Sequence, residues 1–98
     1  MRAEDWIRPT PQGLHVGPGD FYIDPVRPAA RAVVTHGHGD HARPGGGDVL
    51  ATAGTLAIMR ARFGDAAGRR LQAAAYGEEI RIGDVRVRLA PAGHVLGS

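Results

Sequence analysis

Apolar residues fall along the chain in short bursts bounded by glycine and proline, and the spacing within each burst predicts an element. Gly13-Leu14-His15-Val16-Gly17 and Phe21-Tyr22-Ile23-Asp24 predict two strands, and Pro18-Gly19-Asp20 between them is a strong turn signal, so the pair reads as a hairpin. Ala32-Val33-Val34-Thr35 and Asp48-Val49-Leu50-Ala51 predict two more strands. The period then changes. Leu56, Met59 and Phe63 fall at helical spacing, Thr52 or Thr55 is suited to cap the first turn and Gly64 to stop the last, which predicts a helix ending near Phe63 with Arg60 and Arg62 in solvent. Ile80-Arg81-Ile82 and Val85-Arg86-Val87-Arg88-Leu89 alternate around Gly83-Asp84, a hairpin with one buried and one wet face. Between these elements, Ala42-Arg43-Pro44-Gly45-Gly46-Gly47 has too much glycine for more than a single turn, and Gly64 to Ala75 gives no clear assignment. Met1 to Gln12, with Pro9 and Pro11, is expected to be an irregular arm that docks through Trp6. Residues 13–98 then form part of a single layered α/β domain.

Composition narrows the class. The chain has 98 residues, 43% of them hydrophobic and 22% charged, the balance of a globular protein rather than a disordered one. A chain of this length buries only about 60–65% of its unfolded surface, so its stability margin is thin. Neither a run long enough to span a membrane nor the apolar core of a signal peptide is present, and the expected location is cytoplasmic. All 12 basic residues are arginine and the formal charge is +2. Arginine forks match phosphate oxygens, although an all-arginine count equally reflects genomic base composition.

The chemistry concentrates in His36-Gly37-His38-Gly39-Asp40-His41, directly after the apolar run ending at Thr35. Three imidazoles and a carboxylate within six residues suit a metal better than a core. In extended backbone, side chains two apart project to the same side, so His36 and His38 can grip one ion while Asp40 and His41 face a second. A surface histidine-rich tract of the tag kind is the alternative, but a tag is terminal and uniform, whereas this cluster is ordered and follows a strand. Cysteine is absent, so any metal must be held by histidine and carboxylate. Asp24 closes a strand before Pro25, where it either serves the site or accepts backbone hydrogen bonds in the turn. His15 reads as structural. His94 is a lone histidine just past a strand, a type more often structural or merely exposed, but His36 and His38 need a third protein ligand for a site with one open position, which makes His94 a candidate.

Taken together, His36-x-His38-x-Asp40-His41 and Gly93-His94 resemble the metallo-β-lactamase superfamily. Phe21-Tyr22-Ile23-Asp24-Pro25, Arg27-Pro28, Arg31-Ala32-Val33, the continuation Ala42-Arg43-Pro44-Gly45 and the ending Pro91-Ala92-Gly93-His94-Val95-Leu96-Gly97-Ser98 are similar to its ligase-associated DNA exonuclease branch, relatives of the β-CASP nucleic-acid-processing enzymes. The resemblance implies an αββα sandwich, of which this chain is the first half and an amino-terminal fragment. It implies zinc, two ions in an intact relative and one here, with His36, His38 and His94 on one ion and Asp40 and His41 on the other. Asp40 and His41 carry the catalytic roles, Asp24 supports the site without being a principal ligand, and Arg43 is a possible phosphate contact. The implied activity is stepwise hydrolysis of phosphodiesters from a DNA end, in a repair pathway with an ATP-dependent DNA ligase. Intact members add a bridging aspartate, an inserted nucleic-acid-binding domain and a last histidine ligand, so the fragment is expected to be weakly active or inactive and to leave one sheet face exposed. An RNA-processing nuclease of the same fold, a non-catalytic zinc-stabilised module that binds nucleic acid or a partner, and a hydrolase of small esters, thioesters or lactams are the alternatives.

Overall fold

The computed structural model describes residues 6–93 and 97–98. Six strands form one mixed sheet in sequential order: β1 (Ile7–Thr10), β2 (Gly13–Val16), β3 (Phe21–Ile23), β4 (Arg31–Val33), β5 (Asp48–Ala51) and β6 (Arg70–Ala73). The first three run antiparallel to one another, whereas β3 to β6 are parallel. A single α-helix among the described residues, α1 (Ala53–Phe63), crosses from β5 towards β6. A separate antiparallel pair, β7 (Glu79–Ile82) and β8 (Val85–Arg88), forms the second sheet. The fold is therefore mixed α+β, in agreement with a layered α/β reading.

The alternation of side chains along β4 and β5 sorts the core into two halves. Val34, Val49 and Ala51 join Leu56 and Met59 on the helix side, with Phe63 and Leu71 packed against them. Val33 and Leu50 point the other way and join Val16, Phe21 and Ala74, against which Ile80, Ile82, Val85 and Val87 of the hairpin pack. The layers thus run helix, six-stranded sheet, two-stranded sheet. The hairpin leaves part of that face open, in a cleft of about 480 Å³ lined by Arg31, Leu50, Arg70, Gln72 and Ile82 among others.

Local chemistry accounts for the element ends. Thr52 caps α1, its hydroxyl accepting from the Thr55 amide at 3.3 Å, and Gly64 ends it at φ 58°. The β2–β3 connection is a 3-10 turn over Gly17–Gly19 that closes on Asp20 at φ 50°, a left-handed conformation that aspartate tolerates better than most residues. Pro18 and Gly19 mark it in the sequence, and the register pairs Val16 with Phe21 as that hairpin requires.

Three expectations are corrected. The arm is not irregular throughout: Ile7–Thr10 pairs with β2, and Trp6 and Ile7 pack on the hairpin-side core. Pro9 is compatible with a strand there because β1 is an edge, where one missing donor costs little. The unassigned stretch after Gly64 contains β6, whose Leu71 is its one large apolar residue and gave no alternating pattern. Arg62 is exposed, but its guanidinium donates to the Gly37 carbonyl at 2.8 Å rather than only to solvent.

Met59 is fully buried between helix and sheet. Met59→Ala is expected to cost about 2–5 kcal/mol through lost contacts and a residual cavity. Against a total stability of about 5–15 kcal/mol for a domain, that is enough to lower the midpoint of chemical denaturation clearly, whereas Ala57→Ser on the exposed side of α1 should leave the midpoint nearly unchanged.

Candidate metal centre

The carboxyl ends of parallel strands β3, β4 and β5 lie along one sheet edge, and the chain leaves that edge at Asp24, at Val34-Thr35-His36 and at Thr52. Open parallel sheets carry their ligands at this edge. Here three side chains that could hold a metal ion meet: one candidate ligand atom each from Asp24, His36 and His41 lies within 4.8 Å of the others.

Asp24 organises the group. It stands at φ 47°, and its carboxylate accepts from three donors: the Thr35 amide to Oδ1 at 2.7 Å, the Thr35 hydroxyl to Oδ2 at 2.6 Å, and His41 Nδ1 to Oδ2 at 2.8 Å. An ionised carboxylate only accepts, so the His41 nitrogen that faces it, Nδ1, carries a proton, and in the neutral ring Nε2 is then the lone-pair nitrogen. The same deduction extends to His36. Thr35 Oγ1 spends its one hydrogen on Asp24, so at 2.9 Å from His36 Nδ1 it accepts, and His36 also presents Nε2 as the lone-pair nitrogen. One carboxylate thereby fixes the tautomer of both rings, the usual way a protein prepares imidazoles for a metal.

The glycines between the ligands have identifiable reasons. Gly37 is buried against α1, where an added Cβ would fall 2.8 Å from Ile58 Cγ2, so a larger residue would push the His36–His38 segment off the helix. The loop then turns back on itself, with the His41 and Ala42 amides both donating to the His38 carbonyl at 2.9 and 2.8 Å. This turn falls within the motif, ahead of Ala42–Gly47, where a single turn at most was expected. It brings the His41 ring against His36 at a 40° tilt, with centroids 4.1 Å apart, and sets the His38 ring edge-on to His36 at 5.1 Å.

The remaining site residues are placed as follows. His38 is exposed beside His36 and lies outside the three-residue group. Asp40 Oδ2 lies 3.6 Å from His41 Nε2, too far for a hydrogen bond and close to the roughly 3.3 Å between adjacent ligand atoms of a tetrahedral zinc. The Asp40 side chain is 73% exposed whereas that of Asp24 is 14% exposed, so Asp40 is the carboxylate available to an incoming group. Arg43 is exposed near His41. His94 lies outside the described residues. On either side of it, Ala92 and Gly97 line a cleft of about 440 Å³ that they share with His36, Tyr76 and Arg88.

Two groups of positioning residues were not foreseen. Thr35 was read only as the end of a strand, although its place between Asp24's partner strand and His36 was a usable signal. Thr52, Thr55 and Tyr76 pin the chain end: both threonine hydroxyls donate to the Gly97 carbonyl, at 2.6 and 3.3 Å, and Tyr76 donates to the Ser98 carbonyl at 2.6 Å. Gly97 sits at φ 82°, and a Cβ there would lie 2.5 Å from Thr52 Oγ1.

The donor set fits a borderline cation such as zinc: imidazole nitrogens in a set tautomer, a carboxylate within reach and no thiolate. Neither a protein-family model nor a solved structure matches the chain. Over 87 residues, 88% of its length, the chain is 36% identical to a protein from Opitutus terrae described as a probable DNA ligase. The matched stretch is 8% of that protein, so the chain spans only a small part of this relative's length. Among the described residues no helix is long and apolar enough to cross a membrane.

Asp24→Asn separates orientation from folding. Asparagine tolerates the positive φ at this position and retains an acceptor for Thr35. Its amide removes the charge that holds the His41 Nδ1 proton, and zinc affinity is expected to fall about 10–100-fold. Competition titration with a chromophoric chelator measures that loss, and a melting temperature within a few degrees of wild type shows that the fold is intact.

Proposed function

We propose that this chain carries the metal-binding part of a metal-dependent phosphodiester hydrolase acting on DNA ends, an exonuclease of the metallo-β-lactamase type working alongside DNA ligation. The observation that carries the reading is the Asp24–Thr35–His36–His41 network at the carboxyl edge of the parallel strands. The helix, sheet and hairpin layers are compatible with the first half of an αββα sandwich. The likeness to a probable DNA ligase supports a DNA substrate and a link to strand joining.

In this reading His36, His38 and His94 hold one zinc, and Asp40 and His41 contribute to a second. Bound zinc would supply a water acidified towards neutral pH and Lewis-acid stabilisation of a phosphodiester oxygen. The chain's own residues do the rest. Asp24 keeps the His41 and His36 rings oriented, and Thr35 transmits that constraint between them. Asp40, largely exposed, would orient the attacking water in addition to binding metal. The cleft beside His36 offers the Tyr76 ring and the Arg88 guanidinium to a nucleotide, and Arg43 is a second exposed cation for a phosphate.

A module that binds DNA without cutting it is the second reading, favoured by the openness of the site. With the side chains of Asp40 73% and His41 38% exposed, the described residues provide little to exclude water from a reacting group.

Elemental analysis of the purified chain is expected to give about one zinc per molecule, lost in His36→Ala and in His94→Ala. Metal-dependent shortening of end-labelled DNA that vanishes in His36→Ala supports the nuclease. Salt-sensitive retention of DNA without product supports the binding module. A wild-type protein that folds but takes up no metal overturns the metal reading, and turnover of esters or lactams with no effect on DNA would move the substrate to small molecules.

A further inference from the structure

We propose that Arg62 is a positioning residue for the metal loop, clamping the peptide between His36 and His38 onto α1; the role in metal binding rests on the reading above. Arg62 Nη1 donates to the Gly37 carbonyl at 2.8 Å across 25 residues of chain. One helical turn earlier, on the same side of α1, Ile58 lies against Gly37 so closely that no Cβ fits there. The two contacts hold one peptide from two directions: Ile58 fills the space beneath it and Arg62 fixes its carbonyl. His36 and His38 flank this peptide, so its orientation sets the angle at which both rings leave the backbone.

The guanidinium is itself held in place. It lies 5.8 Å from the centroid of the Phe63 ring, and Phe63 packs on the helix-side core. A cation in the last turn of α1 also complements the negative end of the helix dipole. The side chain is thus oriented before any ligand arrives. Asp24 constrains the loop at His36 and His41 through their rings, whereas Arg62 constrains it through the backbone between the first two histidines.

Two measurements on the whole chain test the clamp with separable outcomes. The first is made without metal: amide hydrogen exchange of His41 and Ala42, whose donors bond the His38 carbonyl, with the Val34 amide in the β4–β5 ladder as reference. Arg62→Ala is expected to speed exchange at His41 and Ala42 at least about tenfold while Val34 changes little. Equal exchange in variant and wild type overturns the clamp whether or not the protein binds metal. The second is zinc and cobalt titration. Arg62→Ala is expected to weaken binding about 10–100-fold and to alter the visible spectrum of the cobalt form, and Arg62→Lys, which keeps one donor, to recover part of both. Faster exchange with unchanged affinity and spectrum overturns the positioning of ligands. A wild type that binds no metal overturns the metal reading and leaves the exchange experiment as the test of the clamp. Should Arg62→Ala fail to fold, Arg62→Lys and Arg62→Gln decide in its place: wild-type exchange in both overturns the proposal, and graded loss supports it.

Discussion

Three donors converge on the Asp24 carboxylate, and they come from different parts of the chain's path: the amide and hydroxyl of Thr35 at the exit of β4, and the imidazole of His41 at the far end of the glycine-rich loop. Charge-assisted hydrogen bonds to a largely buried carboxylate are stronger than neutral ones. This single anion ties β3 to β4 beyond their ladder and closes the loop onto the sheet. It also decides which nitrogen of each ring carries a proton. Remove it, and the loop from Val34 to Gly47 retains backbone contacts but loses the constraint that gives its histidines a common direction. The positive φ of Asp24 is consistent with this priority, because the strained backbone aims the carboxylate back across the strand ends.

How much of this was legible in the residues depends on whether the signal was local. The β2–β3 hairpin, β4, β5, the β7–β8 hairpin and α1 were all readable, because their periods and caps lie within a dozen residues of one another. Thr52 and Gly64 bracket the helix as a cap and a stop should. β1 and β6 were missed for opposite reasons: Pro9 argued against a strand that is tolerated only because it is an edge, and Arg70-Leu71-Gln72-Ala73 becomes a strand because β5 offers it a parallel partner. The histidine motif was legible as a cluster that could hold a metal, but its internal order was not. Asp24, twelve residues upstream of His36, enters the three-residue group with His36 and His41, while His38 and Asp40 stand beside it. Spacing in extended backbone pairs residues two apart, and the turn at His38–Ala42 replaces that pairing with a tilted contact of the His36 and His41 rings.

The sheet's sequential order explains why the site forms where it does. Because β3, β4, β5 and β6 lie side by side and parallel, every strand in this half delivers the chain to the same edge. The crossover between β4 and β5 is mostly irregular and carries the ligands, and the next crossover carries α1. A loop with two glycines in its first motif and three in its exit has little intrinsic stiffness, and folding it costs more backbone entropy than folding an equal length of helix. The helix returns that stiffness from outside, through Ile58 and Arg62, and at its amino end Thr52 and Thr55 hold the Gly97 carbonyl. One eleven-residue helix therefore braces the metal loop at its last turn and the carboxyl-terminal segment at its first.

In the proposed reading, that arrangement would couple metal binding to folding more tightly than the number of candidate ligands suggests. The ligands lie on segments without regular structure, so their stability derives from a carboxylate and a helix rather than from a ladder of their own. A cation held by these rings would contribute free energy to the loop and, through α1, to the packing of the helix on the sheet. The converse also holds. Anything that loosens α1 lowers the population of loops with both histidines correctly turned, and apparent metal affinity falls by that population even where no ligand has been touched.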